Sequence, residues 1–174
     1  MPAKTLSDLR ENDFLEVVET LPDVNAMPRI QHLSRGQTFE IALCAENHIS
    51  SIAQIVICKL DRQQDSAWMV CQSEADSGWG PFIYDAAMEF ASRFGGGLVP
   101  DAYCVNRPAT RIWEFYFEKR VGKDVVSSAF DVNPWNERPE IALRHRYIKA
   151  NPTFLTFFQD QNRIGFPTPD ASCK

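Results

Sequence analysis

The sequence has few of the features that mark extracellular, membrane-spanning or metal-dependent proteins. Its 5 cysteines are odd in number and include no C-x-x-C pair, which argues against a disulfide framework or a cysteine-ligated zinc site. Its 3 histidines are too far apart to form a pair with metal-ligand spacing. No apolar run approaches the roughly 20 residues that a membrane helix requires. The N-terminal residues also lack the apolar core of a secretory signal. Together these absences predict a cytoplasmic location, reduced thiols and no membrane contact.

Two common catalytic motifs and an overall basic charge are also missing. The sequence contains neither a Gly-x-Ser-x-Gly elbow nor a Gly-Lys-Ser/Thr phosphate loop. Lys and Arg number 18 against 23 Asp and Glu, a net charge of −5, which argues against general nucleic-acid binding. With 174 residues and 44% hydrophobic content, the chain is predicted to form one domain over 1–174. Residues from about 167 to 174 are expected to be flexible.

The most informative stretch runs from Ser66 to Arg93 and predicts a strand, a glycine-bearing turn and a helix. Residues 66–73 alternate in a way that suits a strand covered on both faces. The turn carries Gly78 and Gly80, where the backbone can bend sharply and approach a ligand closely. Pro81 suits the first turn of a helix, and apolar residues then follow at helical spacing up to the glycines at 95–97. Free amides at such a helix start form a potential anion site.

The remaining segments predict a mixed α/β (α+β) domain. Apolar periodicity over Asp8–Leu21 predicts an amphipathic helix that ends before Pro22. Residues 39–45 and 52–60 predict strands that join the strand at 66–73 in an antiparallel meander. Further strands are predicted at 98–100, 125–130 and 143–150, a helix over 107–120 capped by Asn106, and an aromatic segment from Phe154 that packs on the body. The predicted architecture is a mixed sheet of six to seven strands, antiparallel in its N-terminal half, with helices on both faces.

This order of elements, with two of its motifs, resembles the GNAT family of N-acetyltransferases over about half the chain. One motif is the turn with Gly78 and Gly80, similar to the loop on which that family seats the coenzyme A pyrophosphate. The other is Asn106-x-x-Ala109 with an aromatic helix ending in Phe-Glu-Lys at 117–119, similar to the family's Asn-x-x-Ala and Tyr-Glu-Lys segment. The string GWGPFIYDAAMEFA is most similar to a bacteriophage-encoded branch of that family.

The resemblance implies acetyl-CoA as cofactor and an amine as acceptor, a small molecule or a protein. A homodimer formed through the aromatic C-terminal segment is a further expectation. The residues expected to contact the cofactor lie along the end of the strand, the turn and the start of the later helix: Val70, Cys71, Ser77, Gly78, Trp79, Gly80 and Asn106. Tyr116 is the candidate general acid, and Glu74 or Asp76 the candidate general base. A purely structural role stays open for all three, because acidic residues beside a helix start are stabilising in themselves and Tyr116 also suits a core position.

Three departures from the family pattern support a second hypothesis. Ala75 stands where the family usually has Gln or Arg, Pro81 removes one amide from the turn, and Trp113 occupies the position of the usual tyrosine. The fold tolerates these changes more easily than the chemistry does. The alternative function is therefore a catalytically silent, GNAT-like binding or assembly protein, encoded by a phage, that acts through protein–protein contacts.

Overall fold

A computed structural model of the protein describes residues 2–20, 37–45, 51–62, 65–101, 105–130, 140–151, 154–161 and 164–165. The strands are β1 (Phe14–Thr20), β2 (Thr38–Cys44), β3 (Ser51–Arg62), β4 (Asp65–Ala75), β5 (Leu98–Val99), β6 (Val125–Ala129), β7 (His145–Lys149) and β8 (Ile164–Gly165). The helices are α1 (Gly80–Phe94), α2 (Arg107–Phe115) and α3 (Phe154–Asp160), and α2 continues as a wider π-type turn over Tyr116–Arg120.

The strands form one mixed sheet in the order β6-β7-β5-β4-β3-β2-β1-β8. Strands β1 to β4 are antiparallel neighbours in sequence order, whereas β5 lies parallel to β4 on its other edge, across the connection through α1. This confirms the predicted mixed sheet with an antiparallel N-terminal half. The count is eight because the two-residue strands β5 and β8 are included. The late strands β6 and β7 form the antiparallel pair at one end of the sheet.

One face of the sheet holds the larger core, which includes side chains from all three α-helices. Phe90 of α1 packs against Trp68 of β4 and Phe39 of β2, with ring centroids 5.7 and 5.1 Å apart. Neighbouring residues of β4 point to the opposite face, since strand side chains alternate. There Ala67 and Met69 join a smaller cluster with Leu60, Val99 and Phe130. Among the described residues no helix side chain joins this smaller cluster, and the segment 28–36 lies outside them.

The predicted helix over Asp8–Leu21 is wrong, because residues 14–20 form strand β1. Leu15 and Val17 are buried and face the larger core, while Glu16 and Val18, which alternate with them, are exposed, which is the two-residue period of a strand. Seven residues of β1 pair in continuous antiparallel register with β2. Cross-strand pairing and a β-branched segment thus outweigh an apolar spacing that also fits a helix. Leu21 itself lies outside the described residues.

The aromatic segment after β7 packs on the body, as predicted, and a buried carboxylate holds it there. Phe154 and Phe158 of α3 contact Phe82 of α1, with ring centroids 4.5 and 6.4 Å apart. The Glu89 side chain in α1 is fully buried and accepts the backbone N–H groups of Phe154 and Leu155 at 2.6 and 2.8 Å. These bonds satisfy amides at the start of α3 that have no partner within the helix. The expected flexible tail from about 167 to 174 lies outside the described residues.

No helix in the described part of the chain combines the length and the apolar character needed to cross a membrane.

Gly96 lies where the chain leaves α1 and passes close to the start of β4. It has φ of 86°, and a Cβ atom placed on it would lie 1.6 Å from the carbonyl oxygen of Ser66. Gly122 has a similar φ of 81° but no atom within 4 Å of the corresponding Cβ position. The two glycines therefore share a backbone conformation that favours glycine and differ in the space around it.

We expect Gly96→Ala to lower the free energy of unfolding by about 3 kcal/mol or more, because the backbone of Ser66 must move. Gly122→Ala should lower the free energy of unfolding by only about 1–2 kcal/mol, because backbone strain is the only cost there. Urea unfolding followed by circular dichroism measures both variants. Equal losses would contradict the close approach of Gly96 to β4.

Candidate functional site

Strand β4 has a strand partner along its whole length on one edge and along a short part of the other. It pairs with β3 from Asp65 to Ala75, with a bulge at which the register passes from Val70 to Gln72 and skips Cys71. On the other edge β5 pairs only with Trp68 and Met69 among the described residues. Beyond Met69, residues of β4 line a cavity together with Asp101, Val105 and Asn106. A cleft opens there between the end of the strand and the helix.

The cleft consists of two adjoining chambers. The inner chamber has a volume of about 220 Å³ and lies between β4 and α2; its walls include Val70, Cys71, Asp101, Val105 and Trp113. The outer chamber has a volume of about 280 Å³ and reaches the turn before α1; its walls include Glu74, Asp76, Ser77, Gly78 and Gly80. Four residues line both chambers, namely Ser73, Tyr84, Asn106 and Ala109. A ligand can therefore extend from one chamber into the other.

The turn between β4 and α1 brings a helix start to the outer chamber. The carbonyl of Asp76 accepts the backbone N–H of Trp79 at 3.0 Å, and Gly78 in between has φ of 89°, which favours glycine. The first amides of α1 have no partner within the helix, and the positive end of its dipole lies there. Pro81 occupies the second helical position, where its missing N–H costs no helical hydrogen bond.

The N-terminal residues lie against the same turn, a contact that the sequence analysis did not anticipate. The backbone N–H of Lys4 donates to the carbonyl of Gly78 at 3.0 Å. A Cβ atom on Gly78 would approach Cγ of Lys4 to 3.2 Å and the carbonyl oxygen of Pro2 to 3.0 Å. Such contacts join segments that are far apart along the chain and have no local sequence signature. Larger side chains at Gly78 would displace this N-terminal segment.

Asn106 caps α2 at the boundary of both chambers. Its side-chain oxygen accepts the backbone N–H of Ala109 at 3.0 Å, and Pro108 occupies the first turn. This is the N-cap geometry that the spacing of Asn106 and Ala109 predicts. The resulting helix places Trp113 two turns further on, where its ring packs against Tyr84 of α1 with centroids 5.3 Å apart. Trp113 is 1% exposed and closes the inner chamber as an apolar wall.

Tyr116, the candidate general acid, does not lie at the cleft. Its side chain is fully buried, and its hydroxyl donates to the carbonyl of Pro81 at 3.0 Å. Burial raises the pKa of this phenol well above its usual value, and the nearby Asp85 carboxylate adds to the effect. Tyr116 lines neither chamber. Because its hydroxyl joins the end of α2 to the first turn of α1, it fixes the spacing of the two helices and does not reach a ligand.

Among the tyrosines that the structure describes, Tyr84 lines the cleft, and the sequence analysis missed it. It belongs to the buried stripe of α1, one turn beyond the glycine turn, and lines both chambers. Its hydroxyl lies 3.1 Å from Oγ of Ser73 on β4. Burial raises the pKa of the Tyr84 phenol, while the bond to Ser73 acts in the opposite direction. A helical projection of residues 82–91 places Tyr84 on the same face as Ala87 and Ala91, a signal that could have identified it.

The charged groups on the cleft walls are carboxylates. Glu74 and Asp76, the candidate bases, are exposed side chains of the outer chamber. Asp101, half-buried just after β5, lines the inner chamber. No Lys, Arg or His is found among the described residues that line either chamber. The charged side chains on the described lining are therefore all negative. They favour cationic ligands and oppose phosphate groups, whereas the dipole of α1 favours an anion at the turn.

The remaining predicted residues divide between the two chambers, with one exception. Val70 and Cys71 line the inner chamber, and Ser77, Gly78 and Gly80 line the outer one. Trp79 lines neither, because its ring packs edge-on against Phe82 with centroids 5.0 Å apart. A hydrogen bond with Cys58, together with burial, raises the pKa of the Cys71 thiol and keeps it protonated. Cys71 is therefore a wall residue and not a nucleophile.

Within the described ranges, no three His, Cys, Asp or Glu side chains are grouped as metal ligands. Comparisons of the chain with protein-family models and with curated proteins found no match.

We expect Asn106→Ala to lower the free energy of unfolding by about 1 kcal/mol, because the amide of Ala109 loses its acceptor. Asn106→Ser is the matched control, since serine also caps helices and should keep most of the stability. Urea unfolding of the three proteins measures the difference. Equal losses of unfolding free energy in the alanine and serine variants would show that the side-chain cap does not stabilise this part of the cleft wall.

Proposed function

We propose that this chain is an acyl-CoA-dependent N-acetyltransferase, which moves an acetyl group from acetyl-CoA to an amine. The observation that carries the proposal is the edge of β4 beyond Met69, which lines a cleft and leads directly into the glycine turn before α1. The pantetheine arm of the cofactor is an extended chain with two amide groups, and an open strand edge suits such a chain. The helix start at the end of the strand suits the pyrophosphate.

The size and composition of the cleft support an elongated ligand. The two chambers, of about 220 and 280 Å³, together reach the range of small-molecule sites. Apolar walls from Val70 and Trp113 alternate with polar groups from Ser73 and Asn106. The cofactor would be held by the β4 edge, by Asn106 and by the turn at Ser77 to Gly80. Bound there, acetyl-CoA supplies an activated thioester carbonyl.

The carboxylates of the cleft suit the second substrate better than the first. Amines are protonated at neutral pH, so a negative cleft concentrates them near the thioester. An acceptor amine must lose a proton before it attacks the carbonyl, and a carboxylate or a water bound to it can accept that proton. Glu74, Asp76 and Asp101 are the candidates for this role in the structure. The same charges oppose the cofactor phosphates, and the dipole of α1 offsets this only in part.

The alternative function is a binding or assembly protein that keeps the fold without the chemistry. Two observations favour it, the carboxylates beside the turn and Pro81 in the first turn of α1. Both weaken a phosphate site and neither affects the core. Affinity for acetyl-CoA separates the two functions.

Titration calorimetry with acetyl-CoA is expected to give a micromolar Kd for the unchanged protein. Gly80→Glu should weaken binding at least about tenfold, or about 1.4 kcal/mol, because the new side chain points from the turn towards Ile112 and adds a negative charge to the outer chamber. Gly80→Ala controls for the added Cβ, which meets Cδ1 of Ile112 at 3.3 Å. Val126→Glu controls for charge, since Val126 is 54% exposed on the edge strand β6. Both controls should bind like the parent.

Absence of binding heat together with an unchanged Tm at millimolar acetyl-CoA would overturn the enzymatic proposal and favour the assembly function. Equal weakening by Gly80→Glu and Val126→Glu would place the cofactor elsewhere on the protein.

Neutral replacements of the outer-chamber carboxylates should strengthen the binding of acetyl-CoA. We expect Glu74→Gln and Asp76→Asn each to lower the Kd by about two- to fivefold at low salt, because each removes a negative charge near the phosphates. This gain in affinity for acetyl-CoA should decrease as the salt concentration rises. Asp160→Asn, an exposed site on α3, is the matched control and should leave the Kd unchanged. A Kd that rises in both cleft variants would show that these side chains bind the ligand directly.

A further inference from the structure

Acyl transfer from a thioester needs a proton for the sulfur that leaves, and few of the described residues that line the cleft can supply it. In the tetrahedral intermediate the thiolate is a better leaving group than the amine, and it leaves faster when a donor protonates it as the carbon–sulfur bond breaks. Carboxylates at neutral pH are ionised and accept protons. The thiol of Cys71 donates to the carbonyl of Met69 at 3.5 Å, and Cys71 serves as a wall of the inner chamber. Tyr116 is buried against the carbonyl of Pro81.

Tyr84 satisfies the geometric conditions for a donor. It lines both chambers at their junction, where the open edge of β4 runs past the start of α1. The Trp113 ring packs edge-on against the Tyr84 ring at 5.3 Å and holds it in one orientation. Its hydroxyl lies 3.1 Å from Oγ of Ser73. Ser73 is exposed at the end of β4 and can exchange protons with water.

Resting on the acetyl transfer proposed above, we infer that Tyr84 is the catalytic proton donor to the leaving thiolate and that Ser73 returns the proton to it. The neutral amine forms a bond from nitrogen to the carbonyl carbon, and the carbonyl electron pair moves to oxygen. When the carbonyl re-forms, the carbon–sulfur bond breaks with its electron pair on sulfur, and the Tyr84 proton moves to sulfur. The tyrosinate regains a proton through the hydroxyl of Ser73 from the nitrogen that becomes the amide. The products are the N-acetyl amide and the free thiol of coenzyme A.

Trp113 occupies the position at which the family resemblance implies a tyrosine, and tryptophan has no hydroxyl to donate. With Tyr84 as the donor, the chain does not need a hydroxyl at position 113. The donor is supplied by α1, on the opposite wall, and the Trp113 ring positions it. Burial keeps the Tyr84 phenol protonated at neutral pH, as a donor must be before each turnover. The pairing with a serine hydroxyl gives it a route for reprotonation that the buried Tyr116 lacks.

The first test follows the thiol of bound coenzyme A and needs no acceptor. Ultraviolet difference spectra between the complexes with coenzyme A and with its desulfo analogue report the thiolate as the pH rises. A phenol that donates to the sulfur stabilises the thiolate, so Tyr84→Phe should raise the pKa of the bound thiol by about one unit, a tenfold change in the ionisation constant. Tyr147→Phe is the matched control and should leave this pKa unchanged, because the Tyr147 hydroxyl donates to the carbonyl of Ala142 and Tyr147 lines neither chamber. An unchanged pKa in Tyr84→Phe would overturn the inference.

The second test measures turnover with acetyl-CoA and spermidine as the amine probe, by the release of coenzyme A. Tyr84→Phe keeps the ring and its packing on Trp113, so acetyl-CoA should bind within about threefold of the parent. Its kcat should fall by about 10²-fold or more, the size of a lost general acid. Ser73→Ala, at an exposed position, should lower kcat by about tenfold with little change in KM. Tyr147→Phe should keep kcat within about twofold.

The outcomes separate this inference from the function on which it rests. A parent protein that binds no acetyl-CoA overturns both. A parent that binds and turns over, with Tyr84→Phe equally active, overturns the role of Tyr84 alone and leaves the acetyltransferase function standing. Loss of acetyl-CoA binding in Tyr84→Phe would make this residue part of the binding wall and also count against its role as donor.

Discussion

The candidate site depends on the unequal pairing of the two edges of β4. Hydrogen bonds to β3 hold the whole strand from Asp65 to Ala75, so its end is fixed. Bonds to β5 hold only Trp68 and Met69 in the described chain. A strand fixed on one edge and open on the other presents backbone groups to the cleft without losing its position. The glycine turn and the start of α1 then follow at a defined place, because they continue directly from a rigid strand.

Aromatic contacts between the two helices set the width of the cleft. Trp113 packs on Tyr84 and on Tyr147 of β7, with ring centroids 5.3 and 5.1 Å away. One turn further, the hydroxyl of Tyr116 bonds to the backbone of Pro81. These residues join α2 to both α1 and the sheet, so the inner chamber cannot collapse without breaking buried packing. A tryptophan at position 113 is therefore a structural requirement of this cleft, whatever the chemistry performed in it.

The electrostatic character of the cleft is mixed and bears directly on function. The dipole of α1 favours an anion at the turn, while Glu74, Asp76 and Asp101 place negative charge on the walls. The proposed phosphate-bearing cofactor and cationic amine would thus meet opposite electrostatic preferences in adjoining parts of one site. For acetyl transfer this arrangement favours the approach of the acceptor at some cost in cofactor affinity. For an assembly protein it would leave the cleft as a surface that attracts basic side chains.

Much of the fold could be predicted from local patterns in the sequence. Two-residue alternation identified β4, and β-like runs joined by short polar links identified β2 and β3. Helical spacing with Pro81 and the glycines at 95–97 identified α1. The spacing of Asn106 and Ala109 predicted the cap of α2, because capping involves residues three apart. Local pattern failed at β1, where apolar spacing fits a helix as well as a strand and pairing with β2 decides between them.

The candidate site divides in the same way. The sequence by itself determined the turn with Gly78 and Gly80, the cap at Asn106 and the acidic residues beside them, since all of these follow from neighbouring residues. Only the tertiary structure decided which tyrosine faces the cleft. Tyr84 and Tyr116 both lie on buried helical faces, and they differ in the partner of the hydroxyl, Ser73 in one case and the carbonyl of Pro81 in the other. Those partners lie 11 and 35 residues away along the chain and meet the tyrosines only when α1 and α2 pack on the sheet.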